Sequence, residues 1–273
     1  MFLTRLISGV VLVIIALVTL IMGGPLLAGV LFFISCVGYY ELCRAMEVHE
    51  KGKKTCALEI VGFLGIAAYY AVMYFTDSEL MLLVPVIGVF MGGMCVYVFT
   101  FPKYRAGQIT EAFFSFVYAP VMLSFIYMTR QLHYGQYIVW LILLSSWGCD
   151  TCAYLVGICI GKKKIFPVLS PKKSLEGCIG GVVGAGLLGA AYGYFAVEQV
   201  VADQKVTWII ALICMVGAVM SQVGDLAASA IKRNREIKDY GKLIPGHGGI
   251  MDRFDSVIVT APMIFFLTAF LIK

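Results

Sequence analysis

Asp150 and Asp225 are carboxylates set inside apolar runs. A charged group at membrane depth is costly enough that it usually serves a function. Asp150 stands in Ser145-Ser146-Trp147-Gly148-Cys149-Asp150-Thr151, and Asp225 in Ser221-Gln222-Val223-Gly224-Asp225. At about 1.5 Å of rise per residue, Asp225 lies roughly 9 Å and Asp150 roughly 16 Å inside the helix ends from which basic loops leave. Ser221, Asp225 and Ser229 are spaced i, i+4, i+8 and so share one face, with Gln222 beside it. A hydrogen-bonded seam between helices would use Ser, Gln and Gly equally well, but it needs no ionised acid. Glu41, close to a span end and three residues before Arg44, is read as snorkelling toward that arginine.

Two loops carry the complementary charge. The first, Gly161-Lys162-Lys163-Lys164 through Ser170-Pro171-Lys172-Lys173-Ser174, holds five lysines. Lys162 to Lys164 suit a purely topogenic role at anionic lipid. Lys172 and Lys173 sit in a tight Ser-Pro turn, where Ser and Lys can hold phosphate oxygens. The second loop, Ser229 to Asp255, contains Lys232, Arg233, Arg235, Lys238 and Lys242. It then passes through Pro245-Gly246-His247-Gly248-Gly249 into Asp252, Arg253 and Asp255. A glycine turn ahead of a helix presents free backbone N–H groups to an anion. Asp252 and Asp255, one turn apart, add oxygen ligands of the kind a hard cation such as Mg²⁺ takes while bridging phosphates. Basic residues for phosphates and acids for a divalent cation, together in one segment, suit phosphoryl or nucleotidyl transfer.

These residues must be positioned by membrane helices. Of 273 residues, 61% are apolar and only 14% charged, too few polar groups to cover a soluble fold of this size. Nine runs are long enough to span a bilayer, at about 6–22, 25–46, 56–75, 79–99, 112–132, 136–160, 177–197, 206–231 and 254–272. The first could be a signal peptide, but it lacks an A-x-A-like end and is read as a retained span. The expected fold is an all-α polytopic membrane helix bundle, a single domain over 1–273. Its N-terminal spans occupy 1–132, and 133–273 hold the catalytic spans and loops. With the N-terminus in the cytoplasm, 18 of the 21 Lys and Arg fall on that side, as the positive-inside rule requires. The nine cysteines include a C-x-x-C at Cys149 and Cys152, but no second pair or nearby histidine completes a zinc set. It is read as structural. Histidine at only 49, 133 and 247 rules out a His-rich metal site.

The stretch Ser229 to Asp255 resembles the pattern of the phosphatidate cytidylyltransferases, or CDP-diacylglycerol synthases, at each of its positions. These are Ser229, Ile231, Lys232-Arg233, Lys238-Asp239, Gly241, Ile244-Pro245, His247-Gly248-Gly249-Ile250, Asp252-Arg253 and Asp255. The blocks Asp150 to Tyr154, Ser170 to Gly177 and Ser221 to Leu226 are similar to the same family. The likeness is dense over roughly 145–256, while the first five spans match in size and hydropathy. It implies that CTP and phosphatidic acid give CDP-diacylglycerol and pyrophosphate with Mg²⁺, as one cation or two, in a dimeric bacterial inner-membrane protein working at the cytoplasmic face. It also implies Asp225 and Asp252 as the metal acids. The residues expected to act with them are Lys172, Lys173, His247 and Arg253. Ser221, Ser229, Lys232, Arg233, Lys238, Gly248, Gly249 and Asp150 are expected to bind the nucleotide. Expected partners are CTP, phosphatidic acid and membrane lipids, with no nucleic acid. A CTP-dependent polyprenol or phytol kinase shares the general layout. A transporter would also carry intramembrane acids, but it commonly shows repeat symmetry, and none is visible here.

Overall fold

A computed structural model describes residues 2–48, 55–76, 78–201, 206–244 and 248–272, with side chains from Ile7 onward. His247, together with Pro245 and Gly246 of the glycine turn, lies outside the described residues. The described chain is helical, with nine main helices: α1 (Phe2–Met22), α2 (Gly24–Ala45), α3 (Ala57–Phe75), α4 (Glu79–Phe99), α5 (Ala106–Gln131), α6 (Gly135–Ile160), α7 (Leu175–Val197), α8 (Thr207–Asn234) and α9 (Met251–Leu271); α2 to α9 are long and apolar enough to cross a membrane, and the described apolar stretch of α1, Ile7–Met22, is shorter. Large apolar side chains such as Phe75, Leu187, Phe195 and Phe270 face outward. That is the surface a bilayer, not water, would cover. This agrees with the all-α polytopic fold expected from hydropathy.

Two helix starts differ from the hydropathy reading. α5 begins at Ala106 rather than near 112, because its first turn is polar. There the Gln108 side chain accepts from the Arg105 N–H at 2.9 Å, closing the helix start. α9 begins at Met251 rather than near 254, for reasons that lie in the site itself. Within α5 the backbone widens by one residue per turn over Val117–Val121, around Pro120, which has no N–H to give.

The chain forms two compact units. One takes residues up to Ser124 together with Arg235–Arg253, and the other takes Phe125–Asn234 with the chain from Phe254 on. The core of the first is built from Leu27, Leu31, Tyr39, Leu42, Ile66 and Phe116, all nearly inaccessible. Its polar seam joins Ser35 to the Tyr70 hydroxyl at 2.7 Å, and Tyr69 to Ser124 at 3.2 Å.

The second unit is organised around α7. Its glycines leave room for direct backbone approach on two sides. A Cβ at Gly181 would come within 2.9 Å of Cys149 of α6, and one at Gly189 within 2.6 Å of Cys214 of α8. Small residues at such spacings let membrane helices pack closely without a hydrophobic driving force. Gln222 of α8 completes the seam, donating to the Cys178 carbonyl at 2.9 Å and to the Cys149 sulfur at 3.3 Å. All nine cysteines are free thiols, so the C-x-x-C is not a disulfide.

Candidate active site

In the second unit, the loop before α7 is shaped by its own hydrogen bonds. The Lys173 N–H donates to the Ser170 carbonyl at 3.1 Å, which makes Ser170-Pro171-Lys172-Lys173 the tight turn its sequence suggests. Ser174 caps α7 by accepting from the Gly177 N–H at 3.2 Å. The Glu176 carboxylate accepts from the N–H groups of Lys162 and Lys163, at 3.0 and 3.2 Å. Together these contacts aim the two loop lysines differently. The Lys173 ammonium lies 2.5 Å from Asp225 Oδ2, each side chain less than a third exposed. Lys172 is exposed, and its carbonyl accepts from Lys164 Nζ at 2.9 Å.

Asp225 is not alone. Gly224 allows α8 to press against α9, so closely that a Cβ there would stand 2.7 Å from the Asp255 carbonyl oxygen. This sets Asp255 within electrostatic range of Asp225. Asp150 of α6 also feels the charges of Asp225 and Lys173, and Asp255 those of Asp150 and Lys232. Asp150, Asp225 and Asp255 thus lie within electrostatic reach of one another and of Lys173 or Lys232. Ser221, one turn before Asp225 on α8, is fully buried, and its hydroxyl has no hydrogen-bond partner among the described residues. Ser229, one turn the other way, is half-buried.

The donor chemistry fits a hard divalent cation: carboxylate oxygens from three helices, with excess negative charge. Among the described residues no three His, Cys, Asp or Glu side chains already form a metal-binding group. Mg²⁺ is commonly held by one or two carboxylates, with substrate phosphates and water filling the remaining positions. That suits an acid pair better than a closed cage. The Lys173 ammonium on Asp225 is itself a cation in that place.

Asp252 belongs to the first unit and does a second job there. It is 8% exposed, and its Oδ2 accepts from the N–H groups of Tyr240 at 2.8 Å and Gly249 at 3.0 Å. Gly248 has φ +86°, and a Cβ on it would stand 2.8 Å from the same oxygen. Only glycine tolerates that conformation and that approach together.

Glu41 departs from its sequence reading. It does not snorkel to Arg44. It is 5% exposed and accepts from the Met251 N–H at 3.0 Å, at the start of α9. The glycine turn therefore does not leave all its N–H groups open to an anion. Those of Gly249 and Met251 are taken by Asp252 and Glu41. The other end of this loop is tied by Arg235, which pairs with Glu111 of α5 and lies 3.9 Å from Glu47. Arg233, Lys238 and Arg253 are exposed.

Sequence reasoning offered Asp255 as an oxygen ligand beside Asp252 but did not bring it to Asp225, and it missed what Glu41 does. For Asp255 the signal was present in its spacing from Asp252 and in Gly224, which marks where another backbone comes close. For Glu41 it was absent, because its partners lie some two hundred residues away.

A model of the cytidylyltransferase family matches residues 3–271. A phosphatidate cytidylyltransferase of Bacillus subtilis is 40% identical over 137 residues, covering 50% of this chain and 49% of that protein. One from Staphylococcus aureus (strain COL) is 39% identical over 152 residues, 55% of each. The chain thus spans about half the length of these relatives. Another, from Staphylococcus epidermidis, is 29% identical over 263 residues, 95% of this chain and 96% of that one.

Proposed function

The chain belongs to the cytidylyltransferase family, and from that premise we propose that it transfers CMP from CTP to phosphatidic acid, giving CDP-diacylglycerol and pyrophosphate. The observation that carries this reading is the cluster of Asp150, Asp225 and Asp255 against Lys173 and Lys232, inside helices long and apolar enough to span a bilayer.

In the proposed reaction a phosphate oxygen of phosphatidic acid attacks the α-phosphorus of CTP. The bond from that phosphorus to the oxygen bridging it to the β-phosphate breaks, and pyrophosphate leaves with the electron pair. The nucleophile is already an anion, so no strong base is required. The work is positioning and charge neutralisation. Lys173 and Lys232 would neutralise phosphate oxygens. Asp225, with Asp150 and Asp255 beside it, would hold a divalent cation, and Asp252 is carried as a second metal acid on the sequence pattern. A cation there supplies Lewis-acid polarisation and offsets charge on the phosphates. Arg233, Lys238, Arg253, Gly248, Gly249, Ser221, Ser229 and His247 are proposed to contact the nucleotide on the same basis, whereas exposed Lys172 is placed at its margin. The acyl chains stay in lipid.

The test is direct. Purified protein given CTP, Mg²⁺ and phosphatidic acid should yield CDP-diacylglycerol and pyrophosphate in equal amounts. Release of CDP with a newly phosphorylated lipid alcohol would replace this reading with a kinase, and no nucleotide turnover would remove it.

We further propose a bacterial inner-membrane homodimer with the N-terminus and the active site in the cytoplasm, supported by the 18 of 21 basic residues that this orientation places there. A reporter fused after Lys273 should then read periplasmic. A cytoplasmic signal would overturn the nine-span topology.

A further inference from the structure

Glu41 lies on α2, some two hundred residues before α9, yet its carboxylate reaches the backbone at the start of that helix. Its Oε2 accepts from the Met251 N–H at 3.0 Å. Backbone packs against its other side. A Cβ on Gly241 would stand 2.0 Å from Oε1, and one on Gly249 would stand 2.4 Å from both oxygens. Glycine at both positions lets the loop backbone close directly over the carboxylate. No Lys or Arg pairs with Glu41 among the described residues. Its counter-charge is instead the N-terminus of α9, whose exposed N–H groups carry partial positive charge. The neighbouring Asp252 grips Tyr240 and Gly249 from the other side.

We propose that Glu41 is a positioning residue, whose buried carboxylate fixes Gly241, Gly249 and the first turn of α9 and so sets the direction of Asp252. Packing alone would not require a carboxylate. Glutamine has the same shape, but it turns an NH₂ toward backbone donors and carries no charge for the helix end. An isosteric substitution therefore separates the two roles. The part of the inference that concerns turnover rests on the proposed reaction, whereas the part that concerns the loop does not.

The experiment compares wild type, Glu41→Gln and Gly241→Ala, all in lipid nanodiscs, by amide hydrogen exchange and by steady-state kinetics. In Glu41→Gln, exchange in peptides covering Tyr240 and Gly249–Met251 should accelerate by about tenfold or more, the loss of one hydrogen bond to a charged group. kcat should fall by a similar factor, with KM for CTP changed far less. Should Glu41→Gln fail to fold, Gly241→Ala carries the test. Its Cβ, which would stand 2.0 Å from Oε1, displaces the carboxylate and should raise exchange in the same peptides by a similar factor. Wild-type exchange in Glu41→Gln, or faster exchange with unchanged kcat, overturns the proposal. A wild-type protein with no nucleotide turnover would sink the reaction instead, leaving the exchange result to decide the role of Glu41.

Discussion

Asp225→Asn is expected to lower CDP-diacylglycerol formation by about 10²–10³-fold or more, in line with removing one element of a preorganised electrostatic site, while the protein still inserts and folds. The fold should survive because both side chains keep some access to water, 21% and 29% of their surface, so the charge left behind can be rehydrated. The pair therefore matters little for stability. The reaction is different: without the Asp225 charge, Lys173 loses its partner and the proposed divalent cation would lose its ligand. Adding Lys173→Met to Asp225→Asn should cost little more, since both act through one contact. Asp252→Asn is also expected to abolish turnover. Because its carboxylate holds two backbone N–H groups, that variant should loosen the loop as well. Asp239→Asn, at an exposed position, should be mild. The measurement is product formation against Mg²⁺ concentration. Near-normal turnover with unchanged Mg²⁺ dependence in Asp225→Asn would defeat the assignment.

Lys173→Ala should reduce activity about a hundredfold, whereas Lys172→Ala should stay within about threefold. Charge-neutralising groups in a desolvated site carry effects of the first size, and exposed lysines near lipid carry effects of the second. The sequence presents the two lysines as equals, but the turn separates them. Lys173 points to Asp225, while Lys172 is outward and contributes its carbonyl to Lys164. Lys162→Ala with Lys163→Ala should resemble Lys172→Ala, because their N–H groups, not their side chains, bind Glu176. Equal losses across all these variants would mean that the loop is only topogenic.

The spans were legible because hydropathy reports burial in lipid, and each apolar run became a helix. Their ends were less so. Residues 106–111 are too polar to register as apolar, yet Gln108 and the Glu111–Arg235 pair make them helix. Asp225 stood out because an acid at membrane depth is rarely neutral in purpose. Its company did not: Asp150 and Asp255 join it through glycines of α7 and Gly224 of α8, and the interlocking of helices is a property of pairs of sequences, not of one. Glu41 was misread for the same reason. Locally it sits beside Arg44 near a span end, which is the pattern of a snorkelling acid. Only the fold reveals that two glycines and a helix start have come to meet it.

That meeting also dictates an order of assembly. The bond from Met251 to Glu41 joins residues 210 apart in sequence. A chain inserted from its N-terminus has placed α2 in the bilayer long before residues 241–251 exist. Throughout that interval Glu41 lacks every partner described for it, and an acid left so must keep its proton or stay within reach of headgroup water. The contact at the start of α9 thus closes late, after six further spans have left the ribosome's exit, on a carboxylate that has been waiting since the second. Contacts of such long range are the slow ones in folding. A chain halted before its last helix would therefore leave Glu41 without the Met251 N–H that meets it.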